Sequence, residues 1–246
     1  MPDIFDEVDQ DLRAERARDL LRRYWIFAVA AMVLVVLGIA GWEGWQWRQG
    51  RLSERAATDF IAAAAFADAL PPTGETSKTA DASKTADASK TADAVANFRA
   101  IAARAPAGYR TLARLRAAGL LLRSGDLPGA EAEWDAVAAD GAAPHIFREL
   151  ANLQWAQHAV DAGDPAAVEA RLLPLTQSDS TFHALALETR ALLSLRQGKA
   201  DAARDTLRNL AADPLATAPI RDRARGMLVE LGETPPPEPH ASGPGS

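Results

Sequence analysis

Side chains able to do chemistry are sparse in this chain, and their spacing does not favour it. The four histidines, His145, His158, His183 and His240, are scattered, with no pair at the spacing that presents two ligands to one metal ion. Cysteine is absent, which removes thiol nucleophiles, disulfides and a lipid-modified N-terminal cysteine. Serine stands beside lysine only at Ser77-Lys78, Ser83-Lys84 and Ser89-Lys90, inside a low-complexity run that offers no scaffold for an activated nucleophile. No strand pattern is present, so no glycine-rich phosphate loop can follow one. Trp134 and Trp155 have the character of pocket-lining residues, but aromatics at helical spacing usually belong to a core. The acidic residues are spread along polar helix faces rather than converging. These residues point away from catalysis, and they call for no cofactor and no metal. A formal net charge of −6 also lacks the basic footprint of a nucleic-acid binder.

The elements are more informative than the reactive groups. Tyr24 to Trp42, YWIFAVAAMVLVVLGIAGW, runs for 19 residues without a charged side chain. As a helix it would reach about 28 Å, close to the thickness of a bilayer's hydrocarbon core. Tyr24 and Trp25 stand at one end and Trp42 and Trp45 at the other, where amphipathic rings prefer the headgroup level. The 23 residues before it are too long and too acidic for a secretory signal, and a bulky Trp-rich stretch follows instead of a cleavage site. The pattern predicts a retained, single membrane-spanning helix over 24–42. Arg13, Arg16, Arg18, Arg22 and Arg23 precede it, against Arg48, Arg51 and Arg55 after it. That bias predicts a cytoplasmic N-terminus, with the larger part of the chain across the membrane.

Residues 1–23 read as an amphipathic tail, with Ile4, Phe5, Val8 and Leu12 at helical spacing. Either a docking helix for a membrane partner or a helix resting on the bilayer fits that pattern. Beyond the span, Leu52 to Leu70 reads as a helix ended by Pro71-Pro72. SKTADA then occurs three times in succession, from Ser77 to Ala94. It holds no apolar residue larger than alanine, and residues 71–93 are expected to be a low-complexity loop.

A longer repeat emerges from there to Leu231. Ser89, Gly125, Gly163 and Gly198 open similar phrases, spaced 36, 38 and 35 residues apart. A tetratricopeptide repeat has a period of about 34. Five residues into each phrase stand Ala94, Ala130, Val168 and Ala203. Four later come Phe98, Trp134, Leu172 and Leu207, and three later Ile101, Val137, Leu175 and Leu210. A small residue followed by two larger ones on the same face suits the second helix of a packed hairpin. First helices are expected near 109–123, 144–162 and 181–197, with one unpaired helix over 218–231 capping the stack. Thr111 to Arg123 and Thr181 to Gln197 carry little polar face, so each is either inside the stack or offered to a partner. The fold expected is all-α: one transmembrane helix, then a tetratricopeptide-like stack over 43–231, then a disordered tail over 232–246.

The opening DIFDEVDQDLR (Asp3 to Arg13), the arginine-flanked span, APAGYRTLARLR (Ala105 to Arg116) and LLLRSGDL (Leu120 to Leu127) carry a family resemblance. The chain resembles bacterial membrane-anchored tetratricopeptide-like proteins described as ancillary subunits of the Sec translocon. The resemblance implies an inner-membrane protein whose helical hairpins lie in the periplasm beside the protein-conducting channel. Its partners would be translocon subunits, periplasmic chaperones or emerging secreted chains. No residue-level site motif accompanies the family. Other functions that the sequence allows are a scaffold for envelope or division complexes, or a sensor that binds a peptide or small ligand in its repeat groove.

Overall fold

The computed structural model describes residues 4–70 and 81–236. Among them are nine α-helices and one short 3-10 turn, with no strand. The chain divides into two compact units, Met1–Glu54 and Arg55–Ser246.

The first unit is built on helix α1 (Ile4–Asp68). Its side chains are described from residue 29, so Tyr24, Trp25 and the amphipathic tail over 1–23 lie outside that set, as does Trp45. Among the described residues, no helix is long and apolar enough to cross a membrane. Within them, Val29, Val33, Leu34, Val35, Val36, Leu37 and Ile39 are all exposed, from 47% to 70%.

The second unit begins with the end of α1 and continues through α2 (Asp81–Arg104), α3 (Ala107–Arg123), α4 (Leu127–Ala138) and α5 (His145–Ala159). Then follow α6 (Pro165–Leu172) with its 3-10 extension Leu173–Thr176, α7 (His183–Arg196), α8 (Ala200–Ala212) and α9 (Ala218–Glu230). From α2 onward each helix packs on its neighbour in sequence, and α5 also meets α7, and α7 meets α9. This is a stack of helical hairpins, with α9 left without a following partner helix among the described residues.

The repeated phrase explains the packing. Ala94, Phe98 and Ile101 on α2, and Ala130, Trp134 and Val137 on α4, line one buried stripe of each helix. Val168 and Leu172 on α6 with Leu175 just beyond, and Ala203, Leu207 and Leu210 on α8, do the same. All twelve are buried. Alanine at the first position lets the facing helix come close, and the large residue one turn on fills the space between hairpins. Phe60 of α1 meets Phe98 edge-on, ring centroids 5.5 Å apart, which ties the first helix into the same core.

Glycine sets the hairpin turns. Gly125, Gly198 and Gly232 adopt φ of 85°, 73° and 76°, a region that costs other residues a steric clash. At each, the glycine N–H and the N–H after it donate back to the last helical turn, as in Asp126 N to Leu121 O at 2.9 Å and Gly198 N to Leu195 O at 2.9 Å. Gly163 works differently. A Cβ there would sit 2.8 Å from the Ala159 Cβ, and the free carbonyls of Val160 and Gly163 accept from Arg196 Nη1 at 2.9 and 2.7 Å. Asp126 and Asp164 then cap α4 and α6, each followed by proline in the first turn.

One expectation needs correction. Residues 71–93 are not loop throughout, because α2 starts at Asp81 and takes in most of the triplicated SKTADA. Alanine and lysine are good helix formers, and extending an existing helix costs far less than starting one. Among the described side chains of α2, burial starts at Ala94 and Val95, and the packed end supports an upstream turn in which Ala88, Ser89 and Lys90 are exposed. A stretch without an apolar face has nothing to bury, yet it can still be helical when it continues a packed helix. Residues 71–80 and the tail beyond 236 lie outside the described residues.

Candidate functional site

Two open grooves flank α7. The first, about 660 Å³, lies among α6, α7 and α8. Glu169 and Arg190 pair across it at 2.9 Å, buried Leu193 forms part of its floor, and Asp164 and Lys199 stand at the helix starts. The second, about 440 Å³, lies between the start of α7 and the end of α8 and is lined by Thr181, His183, Leu187, Asn209, Asp213 and Leu215. Leu215 is 91% exposed, the most exposed large apolar side chain of the repeats. Volumes of this size accept a few residues of a peptide. Their polar groups are hydroxyls, the amides of Gln197 and Asn209, His183, the paired Glu169 and Arg190, and the charges of Asp164, Lys199 and Asp213. That composition suits binding and supplies no nucleophile held by a base.

The reactive residues do not converge. His145 Nδ1 lies 3.8 Å from Glu149 one turn along α5, and His158 stacks on Trp134 with centroids 5.3 Å apart and planes 7° apart. Trp134 is buried in the core, and Trp155 is half-buried with the Arg171 guanidinium 4.0 Å from its ring. Neither tryptophan lines either of these two grooves. His240 lies outside the described residues. No cluster of His, Cys, Asp or Glu suited to a metal ion occurs among the described residues. Trp42 is 64% exposed, and Trp47 is 62% exposed with the Arg51 guanidinium 3.8 Å above its ring.

A ladder of arginine–acid pairs joins successive hairpins, and motif reading does not find it. Arg99 on α2 meets Glu133 on α4 at 2.6 Å, and Asp135 on α4 meets Arg171 on α6 at 2.5 Å. Arg223 on α9 grips Glu188 on α7 with two hydrogen bonds of 2.6 and 2.7 Å. Those bonds hold the Arg223 guanidinium above its ordinary value, against the opposing effect of burial. Asp68 at the end of α1 pairs with Arg116 on α3. Glu133 and Glu188 are buried in the stack, so each needs its partner. The available signal is the separation itself: 34, 36 and 35 residues for the first three pairs, one repeat length each.

No curated protein and no solved structure matches the chain. A family profile, tetratricopeptide repeat-like domain, matches residues 18–214. Domains of this type are generally non-catalytic scaffolds that bind other proteins. With hairpins of one repeat length, a shared buried stripe and arginine–acid pairs between successive units, the chain belongs to the tetratricopeptide repeat-like domain family.

Proposed function

We propose that this chain is a scaffold held in the bacterial inner membrane by residues 24–42, with its helical repeats binding protein partners in the periplasm. The carrying observation is the exposure of Met32 to Leu37. Six consecutive residues on a helix point in every direction, at about 100° per residue, so no side of this stretch is turned inward. Leaving each such side chain in water forgoes roughly 1.5 to 3 kcal/mol of burial. Lipid chains remove that cost from all sides at once, as a single protein partner does not. Arg51 over Trp47 suits a headgroup-level boundary at the outer end. The family match begins at residue 18 and takes in the apolar run, which supports reading that run as part of the retained chain.

The resemblance of Asp3 to Arg13, of Ala105 to Arg116 and of Leu120 to Leu127 to ancillary Sec translocon subunits supports a place beside the protein-conducting channel. There the partners would be channel subunits, periplasmic chaperones or emerging secreted chains. The test is crosslinking in intact membranes, with topology read in parallel. The chain has no cysteine, so a single one added to the C-terminal tail reports its own side of the membrane. An impermeant thiol reagent is expected to label it in spheroplasts, and alkaline washing is expected to leave the protein in the membrane. Labelling only after lysis would reverse the orientation. Capture of neither a channel subunit nor a periplasmic chaperone would remove the translocon assignment and leave an anchored scaffold.

A further inference from the structure

Just beyond the uncharged run, α1 carries Glu43, Arg48, Arg51 and Glu54, all exposed, and they sort to two sides of the helix. At about 100° per residue, the two acids lie within about 20° of each other. Arg48 and Arg51 lie about 60° apart, and their midpoint is about 100° round from the acids. Neither arginine is ion-paired with a described residue. Gly44 lies on the arginine side one turn nearer the run, and no described side chain comes within 4 Å of where its Cβ would stand. The helix surface between the arginines and the run is therefore bare.

We propose that Arg48 and Arg51 hold the phosphate of an anionic phospholipid in the leaflet that borders the repeats. The inference rests on the anchored reading above and adds a lipid class to it. Level and direction favour a lipid over an acidic protein. Side chains on a helix lean toward its N-terminus, which here is toward the apolar run. Arg51 shows that lean, with its guanidinium 3.8 Å from the Trp47 ring centroid, one turn nearer the run. The Trp47 level is about 21 Å from the middle of Tyr24–Trp42, and the headgroup layer of a bilayer ends about 20 to 22 Å from its centre. Chemistry selects the headgroup. Two forked guanidiniums on one side of the helix match the oxygens of a single phosphate. A zwitterionic headgroup would bring an ammonium against the second arginine. An anionic one, such as phosphatidylglycerol, brings no cation, and the bare surface at Gly44 leaves room for its glycerol.

The test reconstitutes the full-length chain in nanodiscs of equal parts phosphatidylglycerol and phosphatidylcholine. One lipid or the other carries bromine near the carbonyl end of its acyl chains, where it quenches nearby tryptophan. Trp25→Phe in every sample leaves Trp42, Trp45 and Trp47 to report on this end of the run. Brominated phosphatidylglycerol is expected to quench at least two-fold more than brominated phosphatidylcholine. Arg48→Gln with Arg51→Gln should bring that ratio close to one. Arg22→Gln with Arg23→Gln, at the other end of the run, should leave it unchanged. Arg48 and Arg51 are exposed, and unchanged circular dichroism checks that the variant still folds. Equal quenching by the two lipids, or a preference that survives loss of both arginines, would overturn the lipid selectivity and leave the anchor standing. No quenching by either lipid would refute the anchor and the selectivity together.

Discussion

The run from Val29 to Trp42 and helix α7 are both apolar nearly all round, yet their surroundings are opposite. In α7, Ala186 and Ala191 are 0% and Leu193 is 2% exposed, because α6 and α8 flank it and α5 and α9 touch it. In the first unit, Leu34, Leu37 and Ile39 stand 70%, 62% and 58% exposed. Both segments are rich in alanine and large aliphatic residues. What separates them is the supply of neighbouring helices at repeat spacing, and polar handles follow the same division. α7 keeps Glu188, Arg190 and Arg196, each bonded to a neighbouring hairpin, whereas residues 29–42 contain no charge. An apolar helix inside a protein carries a few charges aimed at its neighbours; one that faces lipid has no use for them.

The sharpest way to break this comparison is to place the same charge in both settings. Leu193→Arg forces an unpaired guanidinium and extra volume into a close-packed site, and should cost about 4 kcal/mol or more. In purified full-length protein, thermal melting should show the repeats unfolded or nearly so. Val35→Arg should leave that melting unchanged, while opposing membrane insertion by about 2.5 to 3.5 kcal/mol if the run spans. Reduced retention after alkaline washing reads that effect, and a lowered melting temperature for Val35→Arg would place the run in the core instead. Arg223→Ala strips the partner from Glu188 on α7, at a cost of about 1 to 3 kcal/mol. Glu188→Gln in the same background should recover part of it, and no recovery would mean that Arg223 acts through packing alone.

Two smaller effects test the positions next to α7 and the far end of the stack. Ala203 lies where α7 and α8 approach, so Ala203→Leu should destabilise by about 1 to 3 kcal/mol through overpacking. Ala200→Leu, at the half-buried start of α8, should shift melting much less, and equal tolerance at both would mean that α8 is rotated. Removing Ser77 to Ala88 should change stability least, within about 0.6 kcal/mol, since it shortens a connection and a solvated helix end. A large drop would show those copies packing against the domain.

Much of the all-α stack is legible in the chain because one phrase recurs at nearly constant spacing. Trp134 and Leu207 occupy the same place in it, and both are buried. Turn chemistry is equally local: Gly125 and Gly198 with Asp126 close behind the first declare helix ends within a few residues. The start of α2 escapes that logic, since no composition rule says how far a packed helix extends into alanine- and lysine-rich sequence. The Arg99–Glu133 and Arg223–Glu188 pairs escape it because their partners are one repeat away. The grooves beside α7 depend on the stagger of α6 and α8, which no local pattern encodes. Recognition of a specific partner has no motif here, so Lys199, Asn209 and Leu215 carry no mark in the sequence.

Packing chiefly between sequence neighbours has a kinetic consequence. With α2 on α3, α3 on α4 and so on to α9, most native contacts close short loops, and proteins of low contact order fold in microseconds to milliseconds. A chain emerging at about 5 to 20 residues per second exposes one hairpin in a few seconds. Each hairpin therefore has time to settle on the one before it, and the early core around Phe98 forms before α9 has been made. The last hairpin, with α9, is then the last to be protected during synthesis, so pulse labelling of nascent chains should protect α2 to α4 before α7 to α9.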